Sequence, residues 1–306
     1  MSRASGVLPL LLTCAWLAID GRALAASQTV TPSDDTFINQ GNPDNNNGAT
    51  LSLFTGTDGH GGVMRGLVRF GLPAGLRGRV TVTGVQLAMV VEALGNGTLG
   101  TPATVSLQAV SEAWSQGNGF GGAPSAFTVG QQCGGSVVGA TWNQPNCTSA
   151  AAWGTAGGTV AAAVSGQAST SGVPLGGQVV WSSTANGQMI ADVQGWIDDP
   201  TSNHGWRLAS STEGAPAQAQ RFSSRETTSA APALVVTYDC KPGFVASGTD
   251  CVVAVAAVPA GGPRSTAWLA VVLCAAAVGR LVTFRRPYRR RRPGAGGCGD
   301  GDRMTA

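Results

Sequence analysis

The chain has 306 residues, 45 glycines, 11% charged side chains and a formal net charge of +3. That charge is a sum of opposites: Ala26 to Pro263 carries eight basic and thirteen acidic side chains (net −5), and Arg280 to Ala306 carries eight and two (net +6). The central part is therefore not a basic binder of acidic partners, and its roughly 210 residues suffice for one domain with a sizeable core.

Residues 1–25 read as a secretory signal peptide. Arg3 gives a basic start, Gly6 to Ile19 an apolar run, and Ala23-Leu24-Ala25 a small-x-small cleavage site. The exported part, 26–239, lacks long helical periodicity. Short alternating or apolar runs bounded by Gly, Asn and Pro predict strands instead. They are Leu51–Phe54, Gly66–Leu72, Val80–Val91, Thr104–Ser111, Gln178–Ser182, Gly205–Ala209, Arg221–Ser224 and Ala233–Tyr238. Asn96-Gly97, Asn118-Gly119 and Asn186-Gly187 mark turns between them. Many short strands with turn signals and little helix predict an all-β, jelly-roll-like antiparallel β-sandwich.

Two stretches depart from that pattern. Gly117 to Gly177, rich in Gly, Ala and Ser, reads as a loop-dominated, glycine-rich insertion with strand character only at Ala140–Trp142. Ile190 to Ile197 reads as one short helical turn, with Val193, Trp196 and Ile197 on a common face.

After the last strand, which Asp239 stops, residues 240–251 (CKPGFVASGTDC) predict a disulfide knuckle and 252–265 a linker. Thr266 to Phe284 is apolar and, at about 1.5 Å per residue, reaches about 28 Å as a helix, enough for a C-terminal transmembrane segment. The basic tail, 285–306, opens with RRPYRRRRP, which holds that side in the cytoplasm. The neighbouring apolar span and the secretory start set aside nucleic acid as the partner of these arginines.

Seven cysteines are present. Cys14 leaves with the signal, and Cys274 and Cys298 fall in the span and the tail. The remaining four, Cys133, Cys147, Cys240 and Cys251, allow three pairings. The short loops they close favour Cys133–Cys147 and Cys240–Cys251, in keeping with an oxidising compartment. A zinc site is the rival reading, but no C-x2-C pair is present.

The residues also carry a resemblance. Asp35-Thr36-Phe37-Ile38 is followed by the loop Asn45-Asn46-Asn47-Gly48, then by Arg65-Gly66-Leu67-Val68-Arg69-Phe70 and the strand Val85 to Val91. Next come Ser111-Glu112-Ala113-Trp114, Ala140-Thr141-Trp142-Asn143-Gln144-Pro145 and Val193-Gln194-Gly195-Trp196. Asp199-Pro200, Asn203-His204-Gly205-Trp206, Arg221-Phe222-Ser223-Ser224-Arg225-Glu226 and Pro232 to Tyr238 complete the series. In this order over most of Thr29 to Tyr238, they resemble the DNRLRE domain, a secreted bacterial β-sandwich akin to the carbohydrate-binding modules of family 96. Where that family has Asp-aliphatic-Thr before the Val-Gln-x-Trp element, this chain has Gln188-Met189-Ile190. The tail in turn resembles bacterial C-terminal sorting signals, which implies that the anchor is processed.

Chemistry-bearing residues are sparse. The two histidines, His60 and His204, lie in turns, and no G-x-S-x-G or phosphate-cradling motif is present, so the chain does not read as an enzyme. Asp34, Asp35 and Asp44, with the Asn-rich loop, offer clustered oxygens that suit calcium, although Asx side chains in turns also satisfy their own backbone. Among Trp114, Trp142, Trp153, Trp181, Trp196 and Trp206, most belong in a core; Trp153, in a small-residue loop, is the best candidate for exposure and for ligand binding, although the balance is against a ligand platform there. The expected function is that of a non-catalytic cell-surface or matrix module with a structural or adhesive role. The alternative is a carbohydrate-binding module for an extracellular polysaccharide.

Overall fold

A computed structural model describes residues 25–92, 101–120 and 130–254. The signal-type start, the Asn96-Gly97 turn, most of the linker, the apolar span 266–284 and the basic tail lie outside them. No helix among the described residues is long and apolar enough to cross a membrane.

In chain order the strands are β1 (Ala26–Val30), β2 (Pro32–Asn39), β3 (Asn45–Asn46), β4 (Ser52–Thr57), β5 (Val63–Phe70), β6 (Val80–Val90), β7 (Thr104–Ala109), β8 (Gln131–Gln132), β9 (Gly166–Ser169) and β10 (Gln178–Ser182). Helix α1 (Gln188–Asp198) follows, then β11 (Trp206–Ser210), β12 (Gln218–Ser223), β13 (Ala233–Cys240), β14 (Phe244–Ser247) and β15 (Asp250–Val253). Two antiparallel sheets face each other: a four-stranded one in the order β1-β13-β6-β10, and a seven-stranded one in the order β12-β4-β5-β11-β7-β9 with β2 along β5. The sandwich reading of the sequence stands at this level.

Strand β6 shows how period-two alternation builds the core. Val80 and Val82 face inward, and then the inward positions change phase to Val85, Leu87 and Met89. Opposite this change the register with β13 jumps from Gly84↔Thr237 to Val82↔Tyr238, leaving Thr83 as the extra residue of a bulge. Across the gap, β2, β4 and β5 send in Phe37, Leu53, Met64, Val68 and Phe70. The helix closes one end of this core with Met189, Val193, Trp196 and Ile197. It spans 11 residues, far longer than the single turn expected, because its buried face continues over three turns.

The insertion also differs from expectation. Among its described residues only β8 and β9 are strands, and Ala140–Trp142 is not one. Yet the segment packs a second apolar cluster on the outer face of the seven-stranded sheet. There Ile38 and Leu67, one residue out of phase with inward Phe37 and Val68, meet Val110, Trp114, Ala140, Trp142 and Trp153. Buried Asn46 fixes this layer: its Oδ1 accepts from Gly48 N–H (3.0 Å) and Gly119 N–H (2.8 Å), and its Nδ2 donates to Gln116 O and Ala140 O (both 2.8 Å). Gly117, at φ 83°, permits the close approach, since a Cβ there would lie 2.0 Å from Val138 O.

Both favoured cysteine pairs are formed, Cys133–Cys147 and Cys240–Cys251. Strand β13 runs through Asp239 to Cys240, and the knuckle is a regular hairpin, β14–β15, that continues to Val253. Its anchors are buried Cys251, the Tyr238 hydroxyl donating to Thr249 O, and Arg79, whose guanidinium lies 5.6 Å from the Phe244 ring centroid.

Candidate functional site

The structure separates the residues that the sequence groups together. Asp34, on the outer face of β2, is ion-paired to Arg69 at 2.8 Å. Asp44 accepts from Asn143 Nδ2 at 2.9 Å. Asp35 points the other way, is 1% exposed, and joins neither of them. Alternation along β2 puts Asp34 and Asp35 on opposite faces, which sequence adjacency conceals. No group of three or more His, Cys, Asp or Glu side chains converges in a metal-holding arrangement among the described residues.

Trp153 corrects another expectation. It is 5% exposed, packs in the outer cluster, and donates from Nε1 to Thr141 O at 2.9 Å. All six of the exported tryptophans are buried. Two of them are capped by arginines: the Arg65 guanidinium sits 5.0 Å from the Trp142 ring centroid, and that of Arg69 5.2 Å from Trp114. Arg65 is held in turn by Glu213 at 2.8 Å. Beneath them Arg207 donates to Gly158 O and Gln108 Oε1 (both 2.8 Å), and burial, then the nearby Arg65 charge, lowers its pKa to about 10. Phe120 is the one aromatic among the exposed large hydrophobics of the described residues. A sugar-stacking platform of tryptophans is therefore absent from the described surface.

The histidines are turn residues. His60 is exposed, and its backbone N–H donates to Asp58 Oδ1 at 2.9 Å. His204 offers its carbonyl to Trp114 Nε1 at 2.7 Å, and burial, then Arg69, lowers its imidazole pKa.

A concave site lies elsewhere, where β6 leaves the four-stranded sheet. Val91 bridges to Phe222 of the other sheet, and Glu92 N–H donates to Arg221 O at 2.9 Å, so the two sheets join there. Beside that junction is a cavity of about 350 Å³ lined by Val91, Glu92, Pro102, Val173, Gln220 and Arg221, among others. Its charged floor is ordered. Arg221 Nε reaches Glu92 Oε2 at 2.9 Å and Ser52 Oγ at 2.8 Å, and Ser223 Oγ donates to Glu92 Oε1 at 2.8 Å. The Arg221 guanidinium also lies 5.8 Å from the Phe54 ring centroid. Gln220, nearly buried, is tied by Ser210 Oγ and Thr101 O. Such a mix of apolar wall and fixed polar groups is the usual composition of a small-ligand site. Sequence reasoning missed it because Glu92, just past β6, and Arg221, in β12, are remote in the chain with no local motif linking them.

A second polar constellation surrounds Asp35. Arg225 N–H donates to Asp35 Oδ2 at 2.7 Å, and Gln116 Oε1 accepts from Asp35 N–H at 3.0 Å. Gln116 Nε2 donates to Gly48 O at 2.6 Å and to Glu226 Oε1 at 2.8 Å, while Ser224 Oγ lies 2.7 Å from Thr50 O and 3.0 Å from Glu226 Oε2. Burial, and next the Glu226 carboxylate against it, push the Asp35 carboxyl well above the usual range.

No curated protein matches the chain. Residues 26–119 match the family described as carbohydrate-binding module family 96. The matched segment runs from β1 past β7 and includes Asp35, Asn46, Glu92 and Gln116, whereas Arg221 and Glu226 come from the later strands that complete both sheets. The chain thus carries a domain like those of carbohydrate-binding module family 96, on a disulfide-bonded β-sandwich.

Proposed function

We propose that the chain is an exported, non-catalytic glycan-binding module that holds an extracellular polysaccharide in the Glu92–Arg221 cavity. The observation that carries this reading is the cavity itself, in a domain whose residues 26–119 match a carbohydrate-binding family. Its volume of about 350 Å³ falls in the range of small-molecule sites. Hydroxyl-rich sugars need fixed donors and acceptors, and Glu92 and Arg221 are held in place by Ser52, Ser223 and each other. Since Arg221 is already compensated by Glu92, the cavity suits neutral sugar hydroxyls better than a bare anion. The two disulfides support an extracellular setting. The apolar span and arginines after residue 265 then serve as a membrane anchor or sorting address for the module.

Affinity electrophoresis of the purified protein through gels containing β-glucan, xylan, galactomannan or a polyuronate tests the proposal. Retardation by a neutral polymer is expected, with Glu92→Gln weakening it about tenfold, the scale of one lost charge-assisted hydrogen bond. A specific observation favours a second reading: all six exported tryptophans are buried, as in a scaffold with no stacking surface. Absence of retardation by every polymer would favour that structural or adhesive role.

A further inference from the structure

We propose that Asp35 and Glu226 together hold one calcium ion between strand β2 and the turn that follows β12. Asp35 is 1% exposed, and its Oδ1 is enclosed with no N–H or hydroxyl donor; without a cation the carboxyl is left to share a proton with Glu226. An enclosed carboxylate oxygen without a donor is costly unless something positive sits against it. The neighbouring group is a second carboxylate, Glu226, which makes the deficit larger.

The Arg225 charge favours the carboxylate from nearby, but its guanidinium does not bond Asp35. Arg225 is exposed and donates from Nη1 to Gln116 Oε1 at 2.9 Å; only its backbone N–H, to Oδ2, serves Asp35. The remaining donors are hard oxygens. Gly48 O shares the Gln116 Nε2 donor with Glu226, and Thr50 O shares the Ser224 hydroxyl, so both carbonyls are kept beside the Glu226 carboxylate. In the same loop Asn47 Oδ1 is buried and also has no donor, its Nδ2 being committed to Phe37 O at 2.9 Å. Carboxylates, amide oxygens and backbone carbonyls, with no thiolate or imidazole among them, select calcium over zinc or copper. This site retains one of the three aspartates that the sequence suggested and replaces the other two with a glutamate from the far end of the domain.

Isothermal titration of the chelator-treated, purified full chain with calcium chloride near neutral pH tests the proposal. One calcium per chain is expected, with a Kd of roughly 10⁻⁴–10⁻³ M as in extracellular modules. Asp35→Asn and Glu226→Gln should each weaken it at least about tenfold. Asp44→Asn should bind as the parent does. Two variants guard against a folding failure in one, and far-UV circular dichroism reports folding in both. No calcium heat in the folded parent, or undiminished binding in both folded variants, overturns the proposal. So does loss of binding in Asp44→Asn with retention in the other two.

Discussion

The seven-stranded sheet has two covered faces, built on different rules. The inward face presents Phe37, Val68 and Phe70 to a partner sheet whose side chains alternate in the same way. The outward face offers Ile38 and Leu67 to a glycine-rich loop segment with little regular structure, and that layer is completed by Trp114, Trp142, Trp153 and the arginines above two of them. The inner core follows from repeated local geometry. The outer cluster depends on individual anchors, Asn46 above all, because a loop has no ladder of its own to satisfy its backbone.

Three substitutions sharpen this contrast. Trp206, fully buried, packs with Trp196 at 4.7 Å and Phe70 at 6.4 Å between ring centroids. Trp206→Ala should lower stability by about 4 kcal/mol in urea titrations and do so in a single transition, since both sheets share this core. Asn46→Ala leaves two buried N–H groups and two carbonyls short of partners and should cost about 3 kcal/mol. Hydrogen exchange should then accelerate mainly in residues 115–119 and 137–147, with β6 and β13 still protected. Equal acceleration throughout would show that the two layers unfold as one. Arg65→Met removes the Glu213 pair and the cap on Trp142, groups that remain about one-fifth exposed, and should cost about 1 kcal/mol. A loss as large as that at Trp206 would mean that the outer layer is no less cooperative than the inner.

The proposed glycan and calcium sites divide in a similar way. Each combines one residue from the part matched to the carbohydrate-binding family with one from the later strands: Glu92 with Arg221, and Asp35 with Glu226. Of the four residues, only Asp35 was a candidate in the sequence, as one of three aspartates offering oxygen ligands. The others were not, because contacts between remote segments alone bring them there. Trp153 failed as a surface candidate for the same reason: small neighbours in the sequence suggested exposure, but its contacts come from Ile38, Leu67 and Thr141.

Sequence alone determined the strand-rich architecture, since alternation and turn residues act within a few positions. It also indicated the two cysteine pairs, because short loops favour local closure. Tertiary structure decided that all six exported tryptophans are buried, which aspartate is enclosed, and where a cavity opens. Those outcomes depend on contacts between remote segments, which local patterning leaves open.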